Sequence, residues 1–175
     1  AKNAETFGLE LDVKKKLDFI GLRGLSLVCN AAYIHSRVRF EDGAPERDRP
    51  LAGQSPYLVN AGLFYQHDDK GISASLLYNR IGKRIESVGV PMQNQNEDIP
   101  DIYEMPRNSL DLTFSKKIGK VVEIKAGIQD MLNSKIEYKQ FVKLTDENGG
   151  KREREQLVRS YRPGVYINIG VSLKF

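Results

Sequence analysis

The sequence is poor in the residues that small folded domains use as staples. It has one cysteine, Cys29, and two histidines, His35 and His67, in 175 residues. A single cysteine excludes an intrachain disulfide and any zinc site built on cysteines. Tryptophan is absent, and no run of about 18 uninterrupted apolar residues exists, which excludes a transmembrane helix. Charge of one sign is scarce as well. The 27 Lys and Arg against 23 Asp and Glu leave +4, too small and too scattered along the chain to point to nucleic acid. No Ser-His-Asp ordering, glycine-rich phosphate loop or paired catalytic carboxylates stands in a suitable context, so enzyme activity is not expected and no cofactor is implied. What remains is 40% hydrophobic and 29% charged, too apolar for a disordered tail and too charged for a bundle of membrane helices. A mean hydropathy of -0.46 leaves a membrane β-barrel open, because barrel strands alternate and carry large polar loops.

What is present is a period of two. Phe7, Leu9, Leu11 and Val13 share one face of a first run, against Gly8, Glu10, Asp12 and Lys14. Tyr57, Val59, Ala61, Leu63 and Tyr65 alternate with Leu58, Asn60, Gly62, Phe64 and Gln66. Leu110, Leu112 and Phe114 oppose Asp111, Thr113 and Ser115, and Val122, Ile124, Ala126 and Ile128 oppose Glu123, Lys125, Gly127 and Gln129. The last run places Val165, Ile167, Ile169, Val171, Leu173 and Phe175 opposite Tyr166, Asn168, Gly170, Ser172 and Lys174. Two further runs, Ser26 to Phe40 and Ile72 to Arg80, read as strands with apolar residues on both faces, so their buried side stays open.

The connections alternate in length. Compact turns at 14–23, 67–71 and 116–120 alternate with long polar segments at 40–54, 86–106 and 130–163, the last with its own hairpin from Glu137 to Leu144 and Gln156 to Tyr161. Strands joined in this way form an antiparallel up-and-down meander with all its long loops at one end. Outer-membrane barrels have that asymmetry, with short periplasmic turns and long extracellular loops. Residues 165–175 at roughly 3.3 Å each, tilted about 45°, project to roughly 25 Å, the height of a barrel's apolar band. Tyr57 and Tyr65 bracket small aliphatic residues on one face, as two interfacial girdles do. The chain starts at Ala1-Lys2-Asn3 without an initiator Met or an apolar signal segment, and the alternation runs into Phe175, so a piece of a larger barrel is expected. Seven strands, an odd number, would leave two unpaired edges, which folded proteins avoid. Smaller barrels acting as passive pores or adhesins, and a soluble β-sheet binding module, are the competing readings.

Four motifs carry a family resemblance. Pro50-Leu51-Ala52-Gly53-Gln54-Ser55-Pro56-Tyr57, followed by Asn60 and Tyr65, resembles the entry to a late strand of TonB-dependent outer-membrane receptors. Tyr103-Glu104-Met105-Pro106-Arg107-Asn108-Ser109-Leu110-Asp111-Leu112 is similar to the strand two before the end in their Bacteroidetes members. Asp130-Met131-Leu132-Asn133 stands where that family has an Asn-Leu-Phe-like bend, and Tyr161-Arg162-Pro163-Gly164 with the final strand resembles its closing signature. The resemblance covers essentially the whole chain. It implies that 1–175 are the last seven strands of a transmembrane barrel of about 22 strands, in the bacterial outer membrane, without the earlier strands, the plug or the segment that meets TonB. It also implies active import of a large or scarce ligand: a siderophore, cofactor, oligosaccharide or peptide. The implied partners are the rest of the barrel and its plug, the TonB complex, the barrel-assembly machinery and outer-membrane lipid, with a surface lipoprotein as a further candidate.

Individual residues follow from both readings. Phe175, with Leu173, Val171 and Tyr166, resembles the C-terminal signal read by the barrel-assembly machinery, an edge strand offered for pairing. Asp111, Thr113, Glu123, Lys125, Gln129, Asn168 and Lys174 are the lumen-facing candidates, where a ligand path or plug contacts would lie. His35 and His67 are expected far apart, with no metal site. The acidic stretch Glu97, Asp98, Asp101 and Glu104 reads as a solvated loop, and Lys151 to Glu155, mixed in sign, as a hairpin flank.

Overall fold

The computed structural model describes residues 1–92, 98–145 and 151–173. Its strands in chain order are β1 (Asn3–Lys16), β2 (Leu25–Arg39), β3 (Tyr57–His67), β4 (Ile72–Ile81), β5 (Arg84–Ser87), β6 (Ile102–Glu104), β7 (Arg107–Ile118), β8 (Val122–Gln129), β9 (Ile136–Thr145), β10 (Lys151–Tyr161) and β11 (Tyr166–Leu173). A single turn of 3-10 helix, Asp18–Ile20, sits between β1 and β2. All strand pairs are antiparallel.

Seven of the strands form one sheet in the order β1-β2-β3-β4-β7-β8-β11, the meander expected from the alternating runs. The other four form a second sheet in the order β10-β9-β6-β5. The β9–β10 hairpin was expected within 130–163. The strands β5 and β6 were not, and they turn part of the long connection 86–106 into sheet.

The two sheets follow one plan. Each strand of the second continues a strand of the first across a short break: β4 into β5, β6 into β7, β8 into β9 and β10 into β11. The neighbour order is kept on both sides, so the small sheet is an upward extension of one half of the large one. Local chemistry accounts for the break. Pro106 and Pro163 have no N–H to give a ladder, and Gly164 together with the non-glycine residues Asp130 and Asn133 takes positive φ.

The architecture is all-β, but it has hardly any interior. Among the described residues the buried hydrophobic side chains are Val38, Ile85 and Tyr138. Domains ordinarily bury one sheet face against a second layer, and among the described residues the seven-stranded sheet has no such layer. A compact monomer of 19.8 kDa exposes about 8,600 Å² by the usual size scaling. This chain exposes 12605 Å². The excess of about 4,000 Å² is the size of a large obligate interface. The sheet ends at β1 and β11, and every residue of both edge strands is exposed.

Candidate functional site

In an antiparallel ladder, directly paired residues lie on the same face, so the register assigns each side chain of the large sheet. The rows Leu9–Tyr33–Tyr57, Val13–Cys29–Ala61–Tyr78–Leu110 and Leu27–Leu63–Leu76–Leu112–Ile128–Ile167 belong to one face. This settles both open strands: Leu27, Cys29, Ala31 and Tyr33 of β2 and Leu76 of β4 join the apolar side. That side is continuous over seven strands and uncovered, with Leu9 79% and Ile169 77% exposed. Tyr33 pairs with Tyr57 at its long-loop end, and Tyr65 lies between Leu25 and Ala74 at its tight-turn end. A polar fringe borders the Tyr33–Tyr57 pair, where Arg80 donates to the Tyr57 hydroxyl at 3.2 Å and Tyr78 donates to Asn108 Oδ1 at 2.7 Å.

The opposite face is polar and bonded across strands. Asn30 Nδ2 donates to Glu10 at 2.8 Å and Asp12 at 2.7 Å, Asn60 donates to Asn30 at 3.4 Å, and Asn79 donates to Asn60 at 2.6 Å. Ser75 and Thr113 bond at 2.6 Å, and Ser73 and Ser115 at 2.8 Å. Ladders of this kind satisfy polar side chains without water inside the row. Leu77 and Phe64 are apolar members of this face because Gly62 lies under them. A Cβ there would meet Leu77 Cδ2 at 2.8 Å and the Phe64 ring at 2.7 Å.

The candidates Asp111, Thr113, Glu123, Lys125, Gln129 and Asn168 all lie on this polar face. They do not converge on one site. Asp111 accepts from the Asp130 N–H at 2.8 Å, Thr113 is held by Ser75, and Lys125 faces Glu123 at 3.4 Å. Asn168 packs over Gly127, where a Cβ would come within 2.8 Å of its Oδ1. Val171 and Leu173 are on the apolar face and Tyr166 on the polar one, opposite Gln129. Phe175 and Lys174 lie outside the described residues.

The motifs meet instead at the break between the sheets. Arg107 is ion-paired with Asp130, which is buried. The bend 130–133 then ties β7 to the β10–β11 connection: Met131 N–H donates to Leu110 O at 2.8 Å, Arg162 donates to Asn133 O at 2.8 Å, and Gly164 N–H donates to Asn133 Oδ1 at 3.1 Å. The segment 50–57 reaches the same level, with Gly53 N–H donating to Ile85 O at 2.8 Å and Gly82 N–H to Tyr57 O at 3.1 Å. These motif residues hold the two sheets together where the ladder is interrupted. Asp130→Ala leaves the Arg107 guanidinium without its carboxylate in a half-buried place. The expected loss is about 3 kcal/mol, the lower end for orphaning a buried charge, read as a lowered midpoint in a urea titration.

Above the break, one cavity of about 390 Å³ opens between the connection 46–50, residues 98–101 and the small sheet. Tyr103 and Phe141 meet edge to face at 5.7 Å, and the Lys83 ammonium lies 4.5 Å from the centre of each ring. Burial, then the Asp101 carboxylate, pushes the Tyr103 phenol above its usual range. Asp48 is held below the usual carboxylate range by the Phe40 N–H and the Arg37 guanidinium.

The acidic stretch corrects a sequence expectation. It is bonded rather than simply solvated: Asp98 pairs with Arg47 and accepts from Met92 N–H at 2.8 Å, Asp101 accepts from Gly89 N–H at 2.7 Å, and Glu104 pairs with Arg84 at 2.7 Å. Glu97 lies outside the described residues. The cavity collects residues from 46 to 153, so sequence spacing held no signal for it, and none of the lumen-facing candidates lines it. Among the described residues no group of three or more His, Cys, Asp and Glu is placed to hold a metal. His35 stacks on Phe7 at 5.0 Å, and His67 Nδ1 accepts from Lys70 N–H at 3.4 Å. No family model, curated protein or solved structure matches the chain.

Proposed function

We propose that this chain forms the last strands and extracellular loops of a TonB-dependent transporter in the bacterial outer membrane. The ligand class is a large or scarce nutrient: a siderophore, cofactor, oligosaccharide or peptide. The observation that carries the reading is the single-layered sheet whose apolar face is continuous, girdled by tyrosines and uncovered. Lipid is the solvent such a face fits, and a closed barrel is the form in which strands cross it. The polar face is then the lumen, where hydrogen-bonded ladders such as Asp12–Asn30–Asn60–Asn79 are at home. The transporter, rather than a smaller barrel, is supported by the four motifs, three of which meet at the break between the sheets. Transport assigns the chain no catalytic step.

Uptake tests it. In cells making the full-length gene product, accumulation of the cognate ligand is expected to stop on adding a protonophore or removing TonB, with surface binding retained. Uptake indifferent to both treatments supports a passive pore. Sidedness follows as well: a tag at Glu46 is expected to label on intact cells and one at Lys70 only after permeabilisation. The reverse pattern contradicts the assignment of the long loops to the outside.

A further inference from the structure

The formal charge of +4 looks scattered in the sequence, but the fold gathers it. The tight turns lie side by side along one end of the large sheet. The two outer ones, with the strand ends that feed them, carry Lys14 to Lys16, Arg23, Lys116, Lys117 and Lys120 against the acids Asp18 and Glu123. The middle turn adds Lys70, Asp68 and Asp69. The remaining cations and anions of the chain balance, so the tight-turn end holds the surplus.

These cations sit beside apolar tips that have nothing over them. Phe19 is 70% and Ile20 58% exposed in the first turn, and Ile118 and Val121 are exposed in the third. The Lys15 ammonium lies 5.4 Å from the Phe19 ring centre. The register puts Lys15 level with Leu27 and Lys116 level with Ile72, at the border of the apolar face. Lys116 donates to the Lys70 carbonyl. Lys15, Lys16, Arg23 and Lys120 are exposed and take part in no ion pair among the described residues. Apolar tips that enter a membrane boundary beside lysines that reach its surface are the chemistry of an anionic lipid interface.

We infer that the tight-turn end binds anionic phospholipid headgroups of the leaflet it faces, with Lys15, Arg23 and Lys120 on the phosphates and Phe19 and Ile20 in the acyl boundary. The inference rests on the membrane reading above. An anionic surface attracts each nearby Lys or Arg by about a factor of five in affinity, so removing several leaves a large deficit.

The test uses the full-length protein in vesicles of phosphatidylcholine doped with spin-labelled phosphatidylglycerol or spin-labelled phosphatidylcholine. The protein-bound fraction of each label gives a selectivity ratio. The wild type is expected to prefer phosphatidylglycerol several-fold, and the variant carrying Lys15→Gln, Arg23→Gln and Lys120→Gln to lose at least fivefold of that ratio or fall to unity. Arg152→Gln with Arg154→Gln, at the other end, is expected to leave it unchanged. Equal selectivity in wild type and the three-site variant overturns the inference, and so does an equal loss in the Arg152 and Arg154 control. Loss of selectivity on adding inorganic phosphate at constant ionic strength assigns the cations to free phosphate and overturns the lipid claim. Failure to insert into either vesicle overturns the membrane reading and this inference together, whereas insertion without selectivity overturns this one alone.

Discussion

If the apolar face meets lipid as proposed, Ile169→Arg is expected to destabilise the protein in a bilayer by about 2–4 kcal/mol, the cost of a guanidinium on a lipid face near the midplane. Ile169 stands in β11 between Ile167 and Val171 on the apolar face, paired with Ala126. Among the described residues nothing covers it, and it is 77% exposed. Leu76→Arg is expected to behave alike, since Leu76 lies between Leu63 and Leu112. Asn168→Arg, one residue away on the polar face, is expected to cost much less, because its side chain points to the side where Lys125 already resides. A urea titration in liposomes reads all three. Equal losses at 168 and 169 contradict the assignment of faces.

The second large effect concerns the edges. Among the described residues β1 and β11 each have one unpaired side, and in lipid every unsatisfied backbone group costs several kcal/mol. A strand of fourteen residues such as β1 leaves about half of its N–H and C=O groups unbonded on that side. The isolated 175-residue chain is therefore expected to aggregate, oligomerise or stay unfolded in detergent. Size-exclusion chromatography with a thermal melt checks this. A sharp monomer in plain buffer with a cooperative transition contradicts the barrel account and favours a soluble β-sheet module.

The large sheet was legible because its strands are long enough for a period of two to repeat. β8 alternates without exception, so its faces follow from the sequence alone, and β3 departs from alternation at Leu58 and Phe64 on its polar side. β2 and β4 did not yield their faces, since Val28, Ile34 and Leu77 are apolar residues on the polar side. Only pairing with Asn60 and Asn79, and the space above Gly62, explains their placement. β5 and β6 have four and three residues, too few to display any period, and β6 is held by β9, more than thirty residues downstream. The charged cavity was illegible for the same reason, being assembled from the connection 46–50, residues between 83 and 101 and the strands β6, β9 and β10. The bend at Asp130 and Asn133 was visible as a motif. Its work, joining Arg107, Leu110 and Gly164, depends on positive φ at both residues, which composition permits but does not dictate.

The central claim is that one face of the large sheet meets lipid and the other meets an aqueous interior. Single spin labels placed at successive positions from 58 to 65 of β3, in the full-length protein with its native cysteines replaced and reconstituted in vesicles, test it most directly. Collision rates with oxygen, which concentrates in lipid, and with a water-soluble nickel chelate report each label's surroundings. The account predicts a period of two, with oxygen dominant at 59, 61 and 63 and the chelate dominant at 60, 62 and 64. Rates without alternation, or alternation in the opposite phase, contradict it.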